Sequence, residues 1–157
     1  MSLDVDVASH GVRSPVSRRA IVDAARATLR GERVRNALLS ITLLDRSSIA
    51  RLNRRHLGHA GATDVVSFGF DRPTRTDPVI GDIYIAPDVG RENARARGTP
   101  VGEELTRLVV HGTLHVLGYD HPGGRGRLTS PMWHRQEALV ARVMKGRRRR
   151  RLMTPPG

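Results

Sequence analysis

The 157-residue sequence has no cysteine and no apolar run near the ~20 residues of a membrane span, which excludes a disulfide framework, a thiolate metal site and a transmembrane helix. Its 27 basic and 15 acidic residues leave a net charge of +12, and 38% of the residues are apolar. That length suits one domain with a core of its own, and that charge fits a polyanionic partner, RNA first. The N-terminal residues alternate apolar and acidic side chains, predict an edge strand over 3–7, and contain no signal-peptide h-region. Ser14-Pro15 is a cap and first-turn pair that opens a helix to about Arg30, stopped by Gly31, with Val16, Ala20, Ile21, Ala24 and Leu29 as its apolar stripe.

Residues 37–44, Ala-Leu-Leu-Ser-Ile-Thr-Leu-Leu, are nearly continuous in apolar character and predict a central strand buried on both faces. Asp45 and Ser47-Ser48 begin a second helix that runs to Leu57 and stops at Gly58. Two strands follow, over 63–70 and 78–86, joined by the short polar loop 71–77 and therefore read as an antiparallel hairpin. Asp82 is an acid inside the second of these strands and reads as a structural hydrogen-bond acceptor. Pro87-Asp88 opens a short helix to Arg97, stopped by Gly98, and Thr99-Pro100 with Glu103 opens the next.

That next helix carries the densest chemistry in the chain, the run His-Gly-Thr-Leu-His-Val-Leu-Gly-Tyr-Asp-His over residues 111–121. His111 and His115 stand at i and i+4 and project from one helical face. Gly118 offers the left-handed conformation that ends helices, and His121 follows within reach as a third nitrogen. Three imidazoles with a fourth position left to water describe a catalytic zinc site better than a structural one, with one ion per chain. A zinc protease would carry a glutamate after the first histidine, and here that position is Gly112. Gly112 costs the helix about 1 kcal/mol relative to alanine, so it marks a close helix contact or room beside the ion.

Residues 122–128 form a glycine-rich loop in which Arg125 and Arg127 face two readings, RNA contact or flexible linker. Ser130-Pro131 caps a last helix to about Met144, with Met132, Leu139, Val140 and Val143 toward the core. Residues 145–157 hold Lys145 and Arg147 through Arg151, six positive charges without an acid, and read as a disordered basic tail after a single domain over 1–144. Without the tail the body still carries +6. The order of elements predicts an α+β fold with helices packed on a mixed four-stranded sheet.

The pattern H-G-x-L-H-x-x-G-Y-D-H resembles the signature of the YbeY family of bacterial metal-dependent endoribonucleases. The likeness extends to Leu52-Asn53, to Thr63-Asp64-Val65-Val66-Ser67-Phe68 and to Gly81-Asp82-Ile83. It implies zinc on His111, His115 and His121, cleavage of single-stranded ribosomal RNA at the small-subunit precursor, a role in 3′-end maturation and ribosome quality control, and a cytoplasmic setting without DNA or membrane. It places Ser67 near the substrate cleft. Family members commonly carry an arginine important for cleavage where this chain has Leu57, so Arg54 or Arg55 of the same helix is expected to supply that cation. Asp120 is expected to orient a histidine ligand or act on the water. His56, His59 and His134 are left outside the ligand set. The alternative classes are a ribosome-binding assembly factor with a mainly structural zinc, and another zinc hydrolase such as a peptidase.

Overall fold

Val7, Leu39, Ile41, Leu43, Ile83 and Ile85 alternate along three adjacent strands and point one way, and that apolar face organises the chain. In the computed structural model, which describes residues 2–58, 61, 63–120 and 130–153, the elements run β1 (Leu3–His10), α1 (Arg18–Gly31), β2 (Ala37–Leu44), α2 (Arg46–Leu57), β3 (Val65–Gly69), β4 (Val79–Ile85), α3 (Pro87–Arg97), α4 (Val101–Val116) and α5 (Pro131–Met153). The sheet order is β1-β2-β4-β3, with β1, β2 and β4 parallel and β3 antiparallel to β4. This is the expected α+β architecture, a mixed four-stranded sheet with five helices, and the expected hairpin is β3–β4. No described helix is long and apolar enough to cross a membrane.

Helices α1 and α4 cover the organising face. Ile21, Ala24 and Leu29 of α1 and Leu105, Leu108 and Val109 of α4 join the strand residues in one core, and Val143 of α5 closes it. Each fully buried Leu or Ile contributes about 1.5–3 kcal/mol relative to an exposed one. A second cluster joins Val110 and Leu114 of α4 to Met132, Leu139 and Val140 of α5. The helix bearing the two histidines is thus gripped from both sides.

The other face of the sheet is only partly covered, and this corrects the reading of β2. The strand is central, but it alternates buried and exposed residues, and Leu38 is 49% exposed. Helix α2 packs Ile49 and Leu52 on Val66, Phe68 and Tyr84 at the β3–β4 side. The rest of that face opens as a cleft bordered by Asp6, Leu38, Ser40, Ile80 and Asp82. The Asp82 side chain is partly exposed there, and its carboxylate makes no hydrogen bond or ion pair among the described residues, so the buried acceptor role does not arise.

The helix ends show which sequence signals carry weight. Asp45 accepts from Ser48 N–H at 2.7 Å and starts α2, and Gly58 and Gly98 end α2 and α3 in the left-handed region as expected. Ser17, not Ser14, caps α1 by accepting from Ala20 N–H at 3.1 Å. Ser14 instead bonds the backbone of Val16, closing a local turn ahead of the helix. Gly31 does not provide the left-handed stop, which falls to Arg33 at φ 61°. A Cβ at Gly31 would stand 2.9 Å from Leu139 Cδ2, so glycine there lets α5 approach without a shift of the leucine side chain. Pro100 takes the N-cap position of α4, and the Thr99 hydroxyl is buried with no hydrogen-bond partner among the described residues.

The expected end of the last helix is also corrected, while residues 154–157 of the expected tail lie outside the described residues. Helix α5 does not end near Met144 but continues through the arginine run to Met153. Arg147 fastens this extension, donating to Ala20 O on α1 at 3.2 Å.

Candidate metal centre

Helix α4 lies unusually close to the sheet because glycine stands at the contact points. A Cβ at Gly112 would meet Ile83 Cγ2 at 2.7 Å, and a Cβ at Gly81 would meet Val116 Cγ1 at 2.4 Å. The helical glycine between the two histidines therefore serves the close helix contact, and β-strand glycine receives the last residue of the helix. This seating fixes where His111 and His115 stand. Their rings lie 4.9 Å apart between centroids at 64°, both half-buried.

A second element orients the first of these rings. Gln136 of α5 donates from Nε2 to Glu137 Oε2 at 3.1 Å, which fixes the amide so that its oxygen faces α4. That oxygen lies 2.7 Å from His111 Nδ1. An amide oxygen only accepts, so Nδ1 carries the proton and Nε2 is the nitrogen with a lone pair for an ion. Glu137 is gripped in turn by Arg107 of α4, through Nε at 2.9 Å and Nη2 at 3.0 Å.

Arg107 also bonds Glu104 at 3.1 Å and Glu103 at 3.2 Å, and Arg97 of α3 reaches Glu104 at 3.5 Å. Burial pushes the Glu137 carboxyl up, but hydrogen bonds from Arg107 and Gln136 and the arginine charge outweigh it and hold the group below the usual carboxylate range. Burial likewise opposes the charge on Arg107, and its carboxylate partners overcome it and raise its pKa. Arg107, Glu137, Gln136 and His111 thus form one continuous chain of fixed groups, and Asp64 and Trp133 line the same cleft. Asp64 accepts from Asn93 at 2.9 Å, and the Arg97 guanidinium stands 6.0 Å from the centre of the Trp133 ring.

The turn out of α4 follows the predicted stop at Gly118, φ 100°. Tyr119 is tied back by its N–H to Leu114 O at 3.0 Å and by its hydroxyl to Glu32 at the end of α1. The Glu32 bond, with burial, raises the phenol pKa. Arg135 of α5 meets the same Glu32 at 2.8 Å. Asp120 follows on the exposed turn.

Of the expected ligands, the fold brings His111 and His115 together on one face, while His121, with the loop holding Arg125 and Arg127, lies outside the described residues. Among the described residues no group of three or more ligating side chains gathers. Arg54 and Arg55 are exposed on α2, on the opposite face of the sheet from α4, and neither lines the cleft beside His111. The neighbouring His56 packs edge-on against Phe68 of β3 at 5.5 Å, while Gly112 packs on Val65 of the same edge strand from the other side. Ser67 alternates onto the α4 face with Val65. Asn53 is buried and donates to Gly61 O at 3.2 Å, a structural tie for the loop after α2. His134 is exposed and lines no part of the cleft.

Gln136 and Arg107 were not among the candidates read from the sequence. Gln136 did leave a signal there, as a polar residue inside the buried stripe Met132, Gln136, Leu139, Val140 and Val143.

Residues 8–144 match the family described as endoribonuclease YbeY. A protein of that name from Anaeromyxobacter sp. (strain Fw109-5) is 40% identical over 110 residues, which cover 69% of this chain and 55% of that protein. One from Mycobacterium sp. (strain KMS) is 40% identical over 116 residues, 68% of this chain and 66% of that one. One from Persephonella marina is 36% identical over 108 residues, 68% of this chain and 71% of that protein. The chain thus spans less than two thirds of the length of the first two relatives. The solution structure of TM1509 from Thermotoga maritima superposes with a TM-score of 0.59 over 98% of each chain at 23% identity, a likeness of fold. The chain belongs to the endoribonuclease YbeY family.

Proposed function

We propose that this protein is a single-strand-specific, metal-dependent endoribonuclease that acts in the cytoplasm on ribosomal RNA, in 3′-end maturation of the small-subunit precursor and in ribosome quality control. The observation that carries the proposal is the His111–His115 pair on a packed helix, with His111 Nδ1 bonded to Gln136 so that Nε2 keeps its lone pair. A net charge of +12 supports a polyanionic substrate, and membership of the endoribonuclease YbeY family supports RNA.

His111, His115 and His121 would hold one zinc ion. The two described imidazoles fit that role, since they share a face and one already has its tautomer set from outside. When bound, the ion supplies Lewis-acid polarisation of a phosphoryl oxygen. The residues of the chain do the rest. Gln136 and the Arg107–Glu137 pair hold His111 in register. Asp120, which precedes His121 in the sequence, would orient a histidine ligand or accept a proton. Arg54 or Arg55 of α2 would offset the charge that builds on the phosphate oxygens.

The test pairs metal analysis with cleavage of a labelled single-stranded RNA at one fixed salt concentration, comparing wild type, His115→Ala and a chelator-treated sample. Near one zinc per chain with cleavage, both lost in the variant while helicity persists, is the expected result. Cleavage that survives metal removal sinks the metal-dependent reading. Metal without any RNA cleavage favours a ribosome-binding assembly factor.

A further inference from the structure

Arginines gather a second time, at the far end of α5. Helices α1 and α5 pack antiparallel, with Gly31 against Leu139 at one end and Ala20 bonded to Arg147 at the other. Between them runs a groove of about 220 Å³ bordered by Asp23, Ala27, Arg30, Arg142, Gly146 and Arg150. The helical repeat explains it. Positions 142, 146 and 150 are spaced i, i+4, i+8 and share one face, as do 23 and 27 on α1. Small residues make the floor, since a Cβ at Gly146 would meet nothing within 4 Å, and arginines make the rim. The one rim acid, Asp23, already faces Arg19 at 3.9 Å. Arg30 also borders the adjoining concavity that Arg26 and Arg35 line, so the basic strip continues past the end of α1.

We propose that this α1–α5 groove binds the phosphate backbone of RNA at a point remote from the metal centre, and so acts on affinity and not on cleavage. The inference rests on the RNA reading above. Arginine is the side chain suited to phosphate oxygens, because its planar fork offers paired donors and keeps its charge. A concave channel between two helices fits a strand. A lipid surface would call for a broad apolar face, and among the described residues the exposed large apolar ones at this end of α5 are Leu152 and Met153. Along α5 the rise from Gln136, which touches His111, to Arg150 is about 21 Å. An RNA held at both places must cover that distance, and a fragment of a few nucleotides reaches only one.

The experiment measures binding of fluorescent single-stranded RNAs of about 20 and about four nucleotides to the full chain across a salt series. It compares wild type with the doubly substituted Arg142→Ser/Arg150→Ser and Arg142→Lys/Arg150→Lys proteins, each checked for unchanged thermal melting. The serine variant is expected to bind the long RNA about tenfold more weakly, with a log–log salt slope shallower by about 1.4, as two lost phosphate contacts require. The lysine variant should keep most of both, and the cleavage rate of the short RNA should not change.

Wild-type affinity and slope in the serine variant overturn the proposal while leaving the endoribonuclease reading intact. Equal losses for long and short RNA also overturn it, since a diffuse charge effect would act that way. If the wild type binds no RNA, both readings fall together. If it binds phosphatidylserine vesicles through these arginines and no RNA, the groove belongs to a lipid surface.

Discussion

Gln136 of α5 accepts a 2.7 Å hydrogen bond from Nδ1 of His111 on α4, and thereby decides which nitrogen of that ring keeps a lone pair for an ion. The amide is itself held by Glu137, so the setting is not a matter of chance rotation. Removing such an orienting partner typically costs 10–100-fold in metal affinity. Gln136→Ala should therefore weaken zinc binding by about that factor, read by competition with a chelator, while circular dichroism stays native. Gln136→Glu keeps an acceptor toward His111 and should recover much of the loss. Equal affinity in the alanine variant would refute the orienting role.

The close seating of α4 makes a second, independent prediction. Alanine is the better helix former by about 1 kcal/mol, and on propensity alone Gly112→Ala should stabilise. Here the new methyl meets Ile83 Cγ2 at 2.7 Å with Val65 close behind, and overpacking typically costs about 1–3 kcal/mol. We expect the packing term to win, giving a net loss of about 1 kcal/mol in a denaturant midpoint. Stabilisation by the substitution would show that the helix can lift off the strand without cost.

What the sequence could reveal follows from the range of each interaction. Asp45, Gly58, Gly98 and Gly118 act within one or two turns, and their caps are legible from spacing alone. His111 and His115 meet because one helix holds both. Gln136 reaches His111 only after α5 has docked, so nothing near residue 111 announces it, although a glutamine within a buried stripe asks for a partner. The strand β2 misleads for a related reason. Its apolar run predicts two covered faces, but α2 covers only the β3–β4 side, and Leu38 is left half in water. The arginine run misleads too, since composition predicts disorder while Arg147 finds an anchor on α1 that no local pattern encodes.

Acid should loosen the support beneath the histidines. The Glu137 carboxyl is held below its ordinary 4.5 in the folded chain by Arg107, so the folded state binds its proton less readily than the unfolded state does. The resulting stability is complete above pH about 4.5 and is lost as pH falls through the lower folded value. The melting temperature should drop as pH falls below about 4.5, and Glu137→Gln should flatten part of that drop. Arg107→Met is the harsher change, because it strands Glu104, whose side chain is 1% exposed, with only Arg97 for a partner. Breaking a buried pair from one side costs about 3–5 kcal/mol, so this variant should melt well below wild type at neutral pH.

Glu32 at the end of α1 holds the exit of the histidine helix in place, since both Tyr119 and Arg135 converge on it. Its replacement should be felt at two separate readouts. Glu32→Gln removes the charge that Tyr119 and Arg135 share, and a hydrogen bond to a charged group contributes about 1.5–3 kcal/mol, so stability should fall by an amount of that order. The second readout is spectroscopic. The chain has two tyrosines, Tyr84 and Tyr119, and both phenols titrate above their usual value. The Tyr84 shift comes from burial and then from Asp82, whereas the Tyr119 shift comes first from Glu32. In Glu32→Gln, one phenol in the ultraviolet titration should therefore move down toward the ordinary 10 while the other stays in place. If neither moves, Glu32 does not anchor the turn that leads into Asp120 and His121, and the position of that turn must be set by the packing of α4 and α5 alone.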